Sequence, residues 1–396
     1  MNINEMPEII YIGNIGIPNT ALSIHAQNMA RLFYRVGYHT TFICDRNKSE
    51  NMFRESSEIY DYCYTKNYIR FPKISALEWL LDELTGWKYK KILYEKVKVK
   101  KPEFILLYGY AGEEWLIKYC RKNKIPLLVE RVDWFEKSDR KGFIGREIFQ
   151  RQVDNCINKK DKLTDGIIVI SKYFEKYYNQ MNKLNIFIPP IFDFEQNKKI
   201  SRFYNDGKIR LVYAGSFGGN KDQILPLLRA IKEINKNEIH IFVNIIGSTM
   251  KEIEKVTSKS YWDKYGIKAY GRIENKKAQE IIEKCDFSLL LRENKRYAKA
   301  GFSTKFAESM CLGVPVICTK VGGADLIIKN MEDGVLLENN EIETIKSTLY
   351  CLLDKSSDEI VQMKKNTYEK ACKFFFEENY IQDLKKFIKE VKKTYE

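Results

Sequence analysis

The chain has 396 residues, of which 44% are hydrophobic and 30% are charged. This length suits two hydrophobic cores, because single cores seldom grow beyond about 250 to 300 residues, and the composition argues against extended disorder. The formal net charge of +14 suits a nucleic acid, an anionic membrane surface or phosphorylated ligands, and charge alone does not choose among these partners.

The N-terminal stretch and the cysteines indicate a cytoplasmic protein. Residues 1–16 lack the positive charge that opens a signal peptide. No segment approaches the roughly 18 consecutive apolar residues of a membrane-spanning helix. Nine Cys without a CxxC pair, together with only three His, disfavour a disulfide framework and a Cys/His metal site.

Short β-rich runs alternate with amphipathic stretches, which is typical of βαβ units on parallel sheets. In the first half, a helix is predicted over 21–36 and strands are predicted at 8–13, 39–45, 104–110, 125–131 and 166–171. A stretch with two prolines and no apolar period follows. The strands predicted beyond it are 209–215, 239–247, 267–271, 286–291, 314–319 and 334–338.

The pattern predicts an α/β protein with two doubly wound, Rossmann-like domains. We expect a first domain over 1–190, a linker over 191–207 and a second domain over 208–375. We expect residues 376–396 to form a C-terminal helix that packs back towards the first domain. Ligands of open parallel sheets bind at the carboxyl ends of strands, where loop amides and helix N-termini converge.

The sequence AGSFGGNK, residues 214–221, brings three glycines and Lys221 to the end of a predicted strand. Glycines let backbone amides approach a phosphate closely, and a lysine supplies positive charge. Because Asp222 follows Lys221, the segment is not a Walker loop. The alternative interpretation is a strand-to-helix turn with a solvated lysine.

The sequence AGFSTKFAESMCLG, residues 300–313, predicts a helix with Ser303 as its N-cap and Gly313 just beyond its end. A diphosphate is favoured before Ser303, because a helix N-terminus carries unpaired amides and partial positive charge. Glu308 is then placed to accept hydrogen bonds from ribose hydroxyls one turn along. The alternative is a surface pair between Glu308 and Lys305.

Taken in order, these segments resemble the family 4 retaining glycosyltransferases of the GT-B fold. Gly215 and Lys221 match the family's Gly and its Lys six residues on. Residues 271–291, which begin GRIENK, are similar to its Gly-Arg segment and the following helix and strand. Residues 305–328 match its donor-binding helix, next strand and Gly-Gly loop. The resemblance extends over about 166–340 and is only topological before that.

The resemblance implies a GT-B fold, in which two Rossmann-like domains face each other across a cleft, and it implies roles for individual residues. Lys221 would bind the donor diphosphate, and Glu308 would hold the ribose and complete the catalytic site. Residues 271–276 would offer backbone groups to the nucleobase edge. The implied donor-binding set is Gly215, Ser216, Arg272, Ile273, Gly301, Phe302, Ser303, Thr304, Lys305 and Glu308.

Two positions depart from the family pattern. Ala300 stands where the family has an earlier Glu, and Ser216 replaces the usual Arg beside the first Gly. These departures resemble a subgroup with a Ser/Pro-Thr-Lys turn, in which Lys305 supplies the charge of the missing Arg. The contacts to the donor sugar are the part of the resemblance that they affect.

The implied mechanism is sugar transfer with retention, in which the leaving diphosphate helps to deprotonate the incoming hydroxyl. No protein nucleophile is then required. No DxD pair occurs in a suitable loop, so a metal requirement is not implied. The expected co-substrate is a UDP- or GDP-sugar, and no bound cofactor is expected.

The first domain is expected to hold the acceptor. Its candidate residues are Gly13 and Gly16 after the first strand, and Glu130 and Asp133 after a later one. We favour Asp133 as the catalytic carboxylate near the sugar, whereas His25 is expected to be structural. Residues 87–101, with seven Lys and one Glu, predict either contact with an anionic bilayer or a solvated helix.

The sequence therefore predicts a cytoplasmic glycosyltransferase, peripheral at the inner face of the plasma membrane. Its acceptor would be a glycan or lipid-linked glycan in the biosynthesis of a bacterial surface polysaccharide, such as a capsule or O-antigen. The alternatives are a GT-B sugar-nucleotide epimerase and a catalytically silent nucleotide-sugar-binding subunit. Nucleic-acid binding has no recognition motif to support it.

Overall fold

The structure is a computed structural model that describes residues 6–16, 23–44, 57–64, 81, 84–136, 143–217, 222–257 and 261–395. The chain divides into two compact units. The first unit contains Met1–Ile191 and Glu377–Glu396, and the second contains Phe192–Phe376.

The first unit is built on a parallel sheet, which has seven strands within the described ranges, in the order β3-β2-β1-β4-β5-β6-β7. The strands are β1 Glu8–Gly13, β2 His39–Cys44, β3 Tyr60–Tyr64, β4 Phe104–Tyr108, β5 Leu127–Arg131, β6 Gly166–Val169 and β7 Asn185–Phe187. Because the strand order reverses between β1 and β4, the carboxyl ends of these two strands form the switch point where such sheets bind ligands.

Helices cover this sheet, and the C-terminal segment contributes one of them. The described α-helices of this unit are Ile24–Val36, Lys90–Val99, Glu113–Asn123, Phe143–Asn155, Lys172–Gln180 and Ile381–Lys392. The last of these buries Leu384, Phe387, Ile388 and Val391 in the core of the first unit. The buried Glu377 just before it forms ion pairs with Arg31 and Arg35.

The second unit has a parallel sheet in the order β10-β9-β8-β11-β12-β13. Its strands are β8 Ile209–Ala214, β9 Ile241–Ile246, β10 Ile267–Gly271, β11 Phe287–Leu290, β12 Val316–Thr319 and β13 Val335–Leu337. Its described α-helices are Leu225–Ile234, Met250–Thr257, Asn275–Glu283, Arg296–Ala300, Thr304–Cys311, Ala324–Ile327, Ile342–Leu353 and Ser357–Phe374. The switch point of this sheet lies between β8 and β11.

The predicted fold class is confirmed, and most strands end one or two residues earlier than predicted. Their apolar runs continue into residues such as Gly109 and Gly215, which lie beyond the last residue of the strand. Two strands were not predicted, β3 and β7. In β3 only Tyr62 is buried, so this edge strand lacks the apolar pattern that identifies buried strands.

Candidate active site

The candidate donor residues lie at the carboxyl edge of the second sheet. Gly215 and Ser216 directly follow β8, and Arg272 and Ile273 directly follow β10. The helix Thr304–Cys311 begins at the same edge, because it follows β11 and leads into β12. Lys221 lies outside the described residues, as do 218–220.

The helix Thr304–Cys311 has Ser303 as its N-cap residue, as predicted. The Ser303 side chain makes no capping hydrogen bond. Its Oγ is buried and has no hydrogen-bond partner in the part of the chain that the structure describes. The hydroxyl is thus a polar group at a helix N-terminus, where anions are favoured.

The other end of this helix closes as the sequence predicts. Gly313 adopts a left-handed φ of 71°. Its N–H donates to the Met310 carbonyl at 2.9 Å, and the Val314 N–H donates to the Ser309 carbonyl at 2.9 Å. This is the Schellman arrangement, and it returns the chain to β12.

Glu308 lies on the partly buried side of this helix. Gln279 Nε2 donates to Glu308 Oε1 at 2.9 Å. Burial raises the pKa of Glu308, and the bond from Gln279 opposes that shift. The surface pair between Glu308 and Lys305, the alternative interpretation above, is replaced by separate partners for the two side chains.

The partner of Lys305 is Asp222, a residue that sequence reasoning noted only as evidence against a Walker loop. Lys305 Nζ lies 2.9 Å from Asp222 Oδ2, and Arg292 Nε lies 2.7 Å from Asp222 Oδ1. Tyr213 also donates its hydroxyl to Oδ2 at 3.0 Å. Burial disfavours the charged form of Asp222, but the charges of Lys305 and Arg292 outweigh burial and lower its pKa to about 2.

Gly215 lies directly beside this cluster. A Cβ at position 215 would clash with Lys305 Nζ and would lie 2.6 Å from the Tyr213 hydroxyl oxygen. The glycine of the sequence motif therefore makes room for the Lys305 ammonium beside β8.

The acceptor-side candidates lie at the carboxyl ends of β1 and β5 in the first unit. Gly13 ends β1 and pairs in register with Tyr108 of β4. It has a φ of 152°, and a Cβ there would lie 2.5 Å from the Tyr108 carbonyl oxygen. Gly16 also has a positive φ, of 81°. Gly13 therefore lets the end of β1 lie close to the β4 backbone.

Glu130 is fully buried and is bonded to His25, which the sequence analysis assigned to structure. Glu130 Oε1 lies 2.6 Å from His25 Nε2, and Tyr11 donates its hydroxyl to Glu130 Oε2. Burial raises the pKa of Glu130 to about 8 and lowers the pKa of His25 to about 4. With both groups neutral, one hydrogen lies between Glu130 Oε1 and His25 Nε2.

Asp133 lies two residues beyond β5 and is half-buried. Its carbonyl accepts a hydrogen bond from the Tyr110 hydroxyl. Burial and, secondly, the charge of Asp133 raise the pKa of Tyr108. The His25 ring lies 6.4 Å from the Tyr108 ring. Tyr108 was missed by sequence reasoning, although it ends β4 at the switch point.

Arg131 points into a separate buried network. Its guanidinium contacts Asp161 and lies 2.7 Å from Glu113 Oε2. Burial raises the pKa of Glu113 to about 8, against the lowering effect of Arg131. The Arg131 guanidinium therefore faces two carboxyl groups, Asp161 and Glu113, and burial favours the neutral form of Glu113.

The basic segment 87–101 contains the helix Lys90–Val99. Leu93 is its buried anchor, and Tyr94 stacks on Tyr119 with ring centroids 5.2 Å apart. Lys90, Lys91, Lys98 and Val99 are exposed. None of the helices in the described ranges has the length and hydropathy needed to cross a membrane. The same ranges contain no group of three or more His, Cys, Asp or Glu side chains arranged to hold a metal ion.

Comparison with known proteins gives a family match within the second unit. Residues 193–370 match the family model of the glycosyl transferases group 1. An uncharacterized glycosyltransferase of Methanocaldococcus jannaschii, MJ1069, is 24% identical over 321 residues, which are 80% of this chain and 72% of that protein.

Solved structures resemble the whole chain. The sucrose-phosphate synthase of Thermosynechococcus elongatus has a TM-score of 0.75 at 14% identity, and the match covers 98% of this chain and 100% of that one. Anabaena Alr3699/HepE, solved in complex with UDP and glucose, has a TM-score of 0.68 at 12% identity, with 97% and 99% covered. The fold is thus GT-B, and the match of residues 193–370 to the group 1 model supports a glycosyltransferase activity for the chain.

Proposed function

We propose that this protein transfers a sugar from a nucleotide-sugar donor to a glycan or lipid-linked glycan acceptor, with retention of anomeric configuration. The observation that carries the proposal is the cluster at the carboxyl edge of the second sheet. There Lys305 and Arg292 share Asp222 next to a helix N-terminus, inside the matched domain. The Anabaena neighbour's complex with UDP and glucose supports a sugar nucleotide as the donor.

In the proposed mechanism, the donor diphosphate lies before Ser303, where the first amides of the helix point. Lys221 and Lys305 stabilise the charge that develops on the leaving diphosphate. Preorganised contacts of this kind are often worth about 10² to 10³ in rate. Glu308, held by Gln279, accepts from the ribose hydroxyls, and the segment of Arg272 and Ile273 meets the nucleobase.

The acceptor is proposed to bind at the carboxyl edge of the first sheet. Gly13 and Gly16 shape the loop after β1, and Asp133 is the proposed carboxylate near the acceptor hydroxyl. Glu130 is buried and bonded to the His25 ring, so its proposed effect on the acceptor is exerted through His25. The incoming hydroxyl passes its proton to the leaving diphosphate, so the proposed steps need only the donor, the acceptor and these side chains.

The proposed setting is the cytoplasmic face of the plasma membrane in bacterial surface polysaccharide synthesis. The helix Lys90–Val99 supports it, because this helix exposes three lysines and Val99 while Leu93 anchors it to the fold. Exposed lysines beside apolar side chains suit an anionic bilayer. Membrane contact would bring the enzyme to an acceptor carried on a lipid.

The direct test incubates the purified protein with UDP- and GDP-sugars, with and without a lipid-linked glycan extract. Donor-dependent thermal stabilisation and release of the nucleoside diphosphate are expected. Appearance of an epimeric sugar nucleotide without acceptor would favour the epimerase, and binding without turnover would favour the silent subunit. Absence of both binding and turnover across the panel would contradict the proposal.

A further inference from the structure

Arg292 is held rigidly at the carboxyl edge of the second sheet. Its N–H donates to Thr319 Oγ1 at 3.0 Å, and Thr319 Oγ1 donates to the Arg292 carbonyl at 2.8 Å. Asp222 and Arg292 also form an antiparallel backbone bridge. Arg292, two residues beyond β11, is therefore fixed both by the end of β12 and by the segment that follows β8.

The side chain of Arg292 is also held in place, through its contact with Asp222. The Arg292 side chain is 13% exposed, and the side chain of Asp222, which it contacts, is 6% exposed. The contact from Nε to Asp222 Oδ1 involves one of the five N–H donors that a guanidinium carries. A planar fork of donors is the geometry that binds phosphate oxygens in pairs.

The charge of the cluster is unbalanced. Among the described residues, Asp222 is the carboxylate that both Lys305 and Arg292 contact. The Tyr213 hydroxyl bonded to it is neutral at physiological pH, and burial raises its pKa further. One positive charge therefore exceeds the negative charge of the Asp222, Lys305 and Arg292 cluster. Arg292 is largely buried and Lys305 is one-third exposed, so the excess positive charge favours an anion that reaches both side chains from solvent.

A second observation points to a ligand at the same place. Arg292 and Ser303 line one cavity together with Phe302 and Gly322, and its volume of about 10 Å³ admits a single oxygen-sized group. The buried Ser303 Oγ has no partner among the residues that the structure describes, so a hydroxyl donor and a guanidinium share one cavity at a helix N-terminus. The family's usual arginine is absent here, since position 216 is an exposed serine.

We propose that Arg292, held beside Lys305 by Asp222, is the arginine that binds the diphosphate of the donor. It would supply from the end of β11 the charge that Ser216 does not supply from the end of β8. This inference rests on the proposed function, since it assumes that the ligand is a nucleoside diphosphate sugar.

The test compares ligands that differ only in their phosphates. Affinities of UDP, uridine, GDP and guanosine are measured by calorimetry on the full chain as wild type, R292Q and R292K. Loss of a charged hydrogen-bonding partner should weaken the diphosphate by about 10- to 100-fold while nucleoside affinity stays unchanged. R292K keeps the positive charge but lacks the planar fork of donors. Its diphosphate affinity should lie between those of wild type and R292Q.

Arg210→Gln is the matched control. Arg210 lies at the start of β8, at the opposite edge of the sheet, and pairs with Asp206, so both affinities should match wild type. Diphosphate affinity in R292Q equal to wild type, with wild type binding UDP or GDP, would overturn this inference and leave the proposed function standing. A wild type that binds neither diphosphate nor any sugar nucleotide would overturn both.

Discussion

Glu130 Oε1 and His25 Nε2 lie 2.6 Å apart in a fully buried site at the carboxyl end of the first sheet. Burial raises the pKa of the carboxyl to about 8 and lowers that of the imidazole to about 4. The pair is therefore held together by one shared hydrogen rather than by opposite charges. Its contribution to stability should depend on pH in a way that an ordinary ion pair does not.

The first prediction concerns that pH dependence. Between pH 4.5 and 6.5 the two groups oppose each other, because the fold retains the proton of Glu130 and excludes the proton that unfolded His25 would carry. Between pH 6.5 and 8, Glu130 is the only one of the two groups that makes the free energy of unfolding depend on pH. The free energy of unfolding should then fall as pH rises, because only the folded state holds the proton.

Glu130→Gln is the matched variant for this measurement. A glutamine stays neutral, and its amide can donate to His25 Nε2 while its oxygen accepts from Tyr11. Denaturant unfolding at several pH values should show a flatter dependence from 6.5 to 8 in E130Q than in wild type. Glu113, whose pKa is also raised, affects both proteins equally. Parallel curves would contradict the protonation state described for Glu130.

Asp222→Asn tests the cluster at the second sheet. The variant leaves the Lys305 and Arg292 cations without their shared carboxylate, and Lys305 is one-third exposed. The free energy of unfolding at pH 7 should therefore fall by about 1 to 3 kcal/mol. Because the pKa of Asp222 is lowered to about 2 from 3.8, this contribution is present above pH 3.8 and should be lost as pH falls towards 2.

Asp206→Asn is the control for that experiment. The Asp206 side chain, which pairs with Arg210, is 44% exposed, so solvent screens the pair and the replacement should have a smaller effect at pH 7. Equal effects of the two substitutions in denaturant unfolding would show that the Asp222 cluster contributes no more than a surface pair.

Lys221→Ala and Glu308→Ala should each abolish transfer while the protein stays folded. For Lys221, which is proposed to stabilise the leaving diphosphate, loss of such a preorganised contact typically costs about 10² to 10³ in rate. For Glu308 a sharper measurement is the preference for a nucleotide that carries the ribose hydroxyls. E308A should bind UDP or GDP no better than the 2′,3′-dideoxy analogue, whereas wild type should prefer the ribose form. Full activity in either variant would contradict the site assignment.

The next prediction concerns the binding of the basic helix Lys90–Val99 to anionic vesicles. Wild type should sediment with phosphatidylserine-containing vesicles and less with neutral phosphatidylcholine vesicles. Replacing Lys90, Lys91 and Lys98 by Gln should weaken binding by about 1 kcal/mol for each lysine.

The matched control for the vesicle experiment replaces three exposed lysines of the C-terminal helix, Lys385, Lys386 and Lys389, by Gln. This variant carries the same change in net charge and should retain vesicle binding. Equal losses in both triple variants would show that net charge, rather than the helix Lys90–Val99, causes the association.

Sequence patterns predicted the fold class because both sheets are parallel and their strands are buried apolar runs. β1 and β8 have this pattern and were located to within one residue. The edge strand β3 was missed because its side chains are mostly tyrosines that are only partly buried. Local pattern does not identify a strand that presents one face to solvent without clear alternation.

The candidate donor site was only partly predictable. Gly215, Ser303 and Glu308 belong to local motifs, so their neighbourhood follows from the strand or helix that carries each one. The contact of Asp222 with Arg292 joins residues 70 positions apart. It arises because β8 and β11 are neighbours across the switch point of the sheet. An acidic residue after one strand and a basic residue after another were visible signals, but the sequence does not specify which strand ends meet.

The most direct test of the central claim is the anomeric configuration of the product. Wild-type protein is incubated with the stabilising sugar nucleotide and acceptor, and the new glycosidic linkage is assigned by proton NMR. The account predicts release of the nucleoside diphosphate together with a linkage of the same anomeric configuration as the donor. A linkage of inverted configuration would contradict the retaining mechanism, and an epimerised nucleotide without any linkage would contradict glycosyl transfer itself.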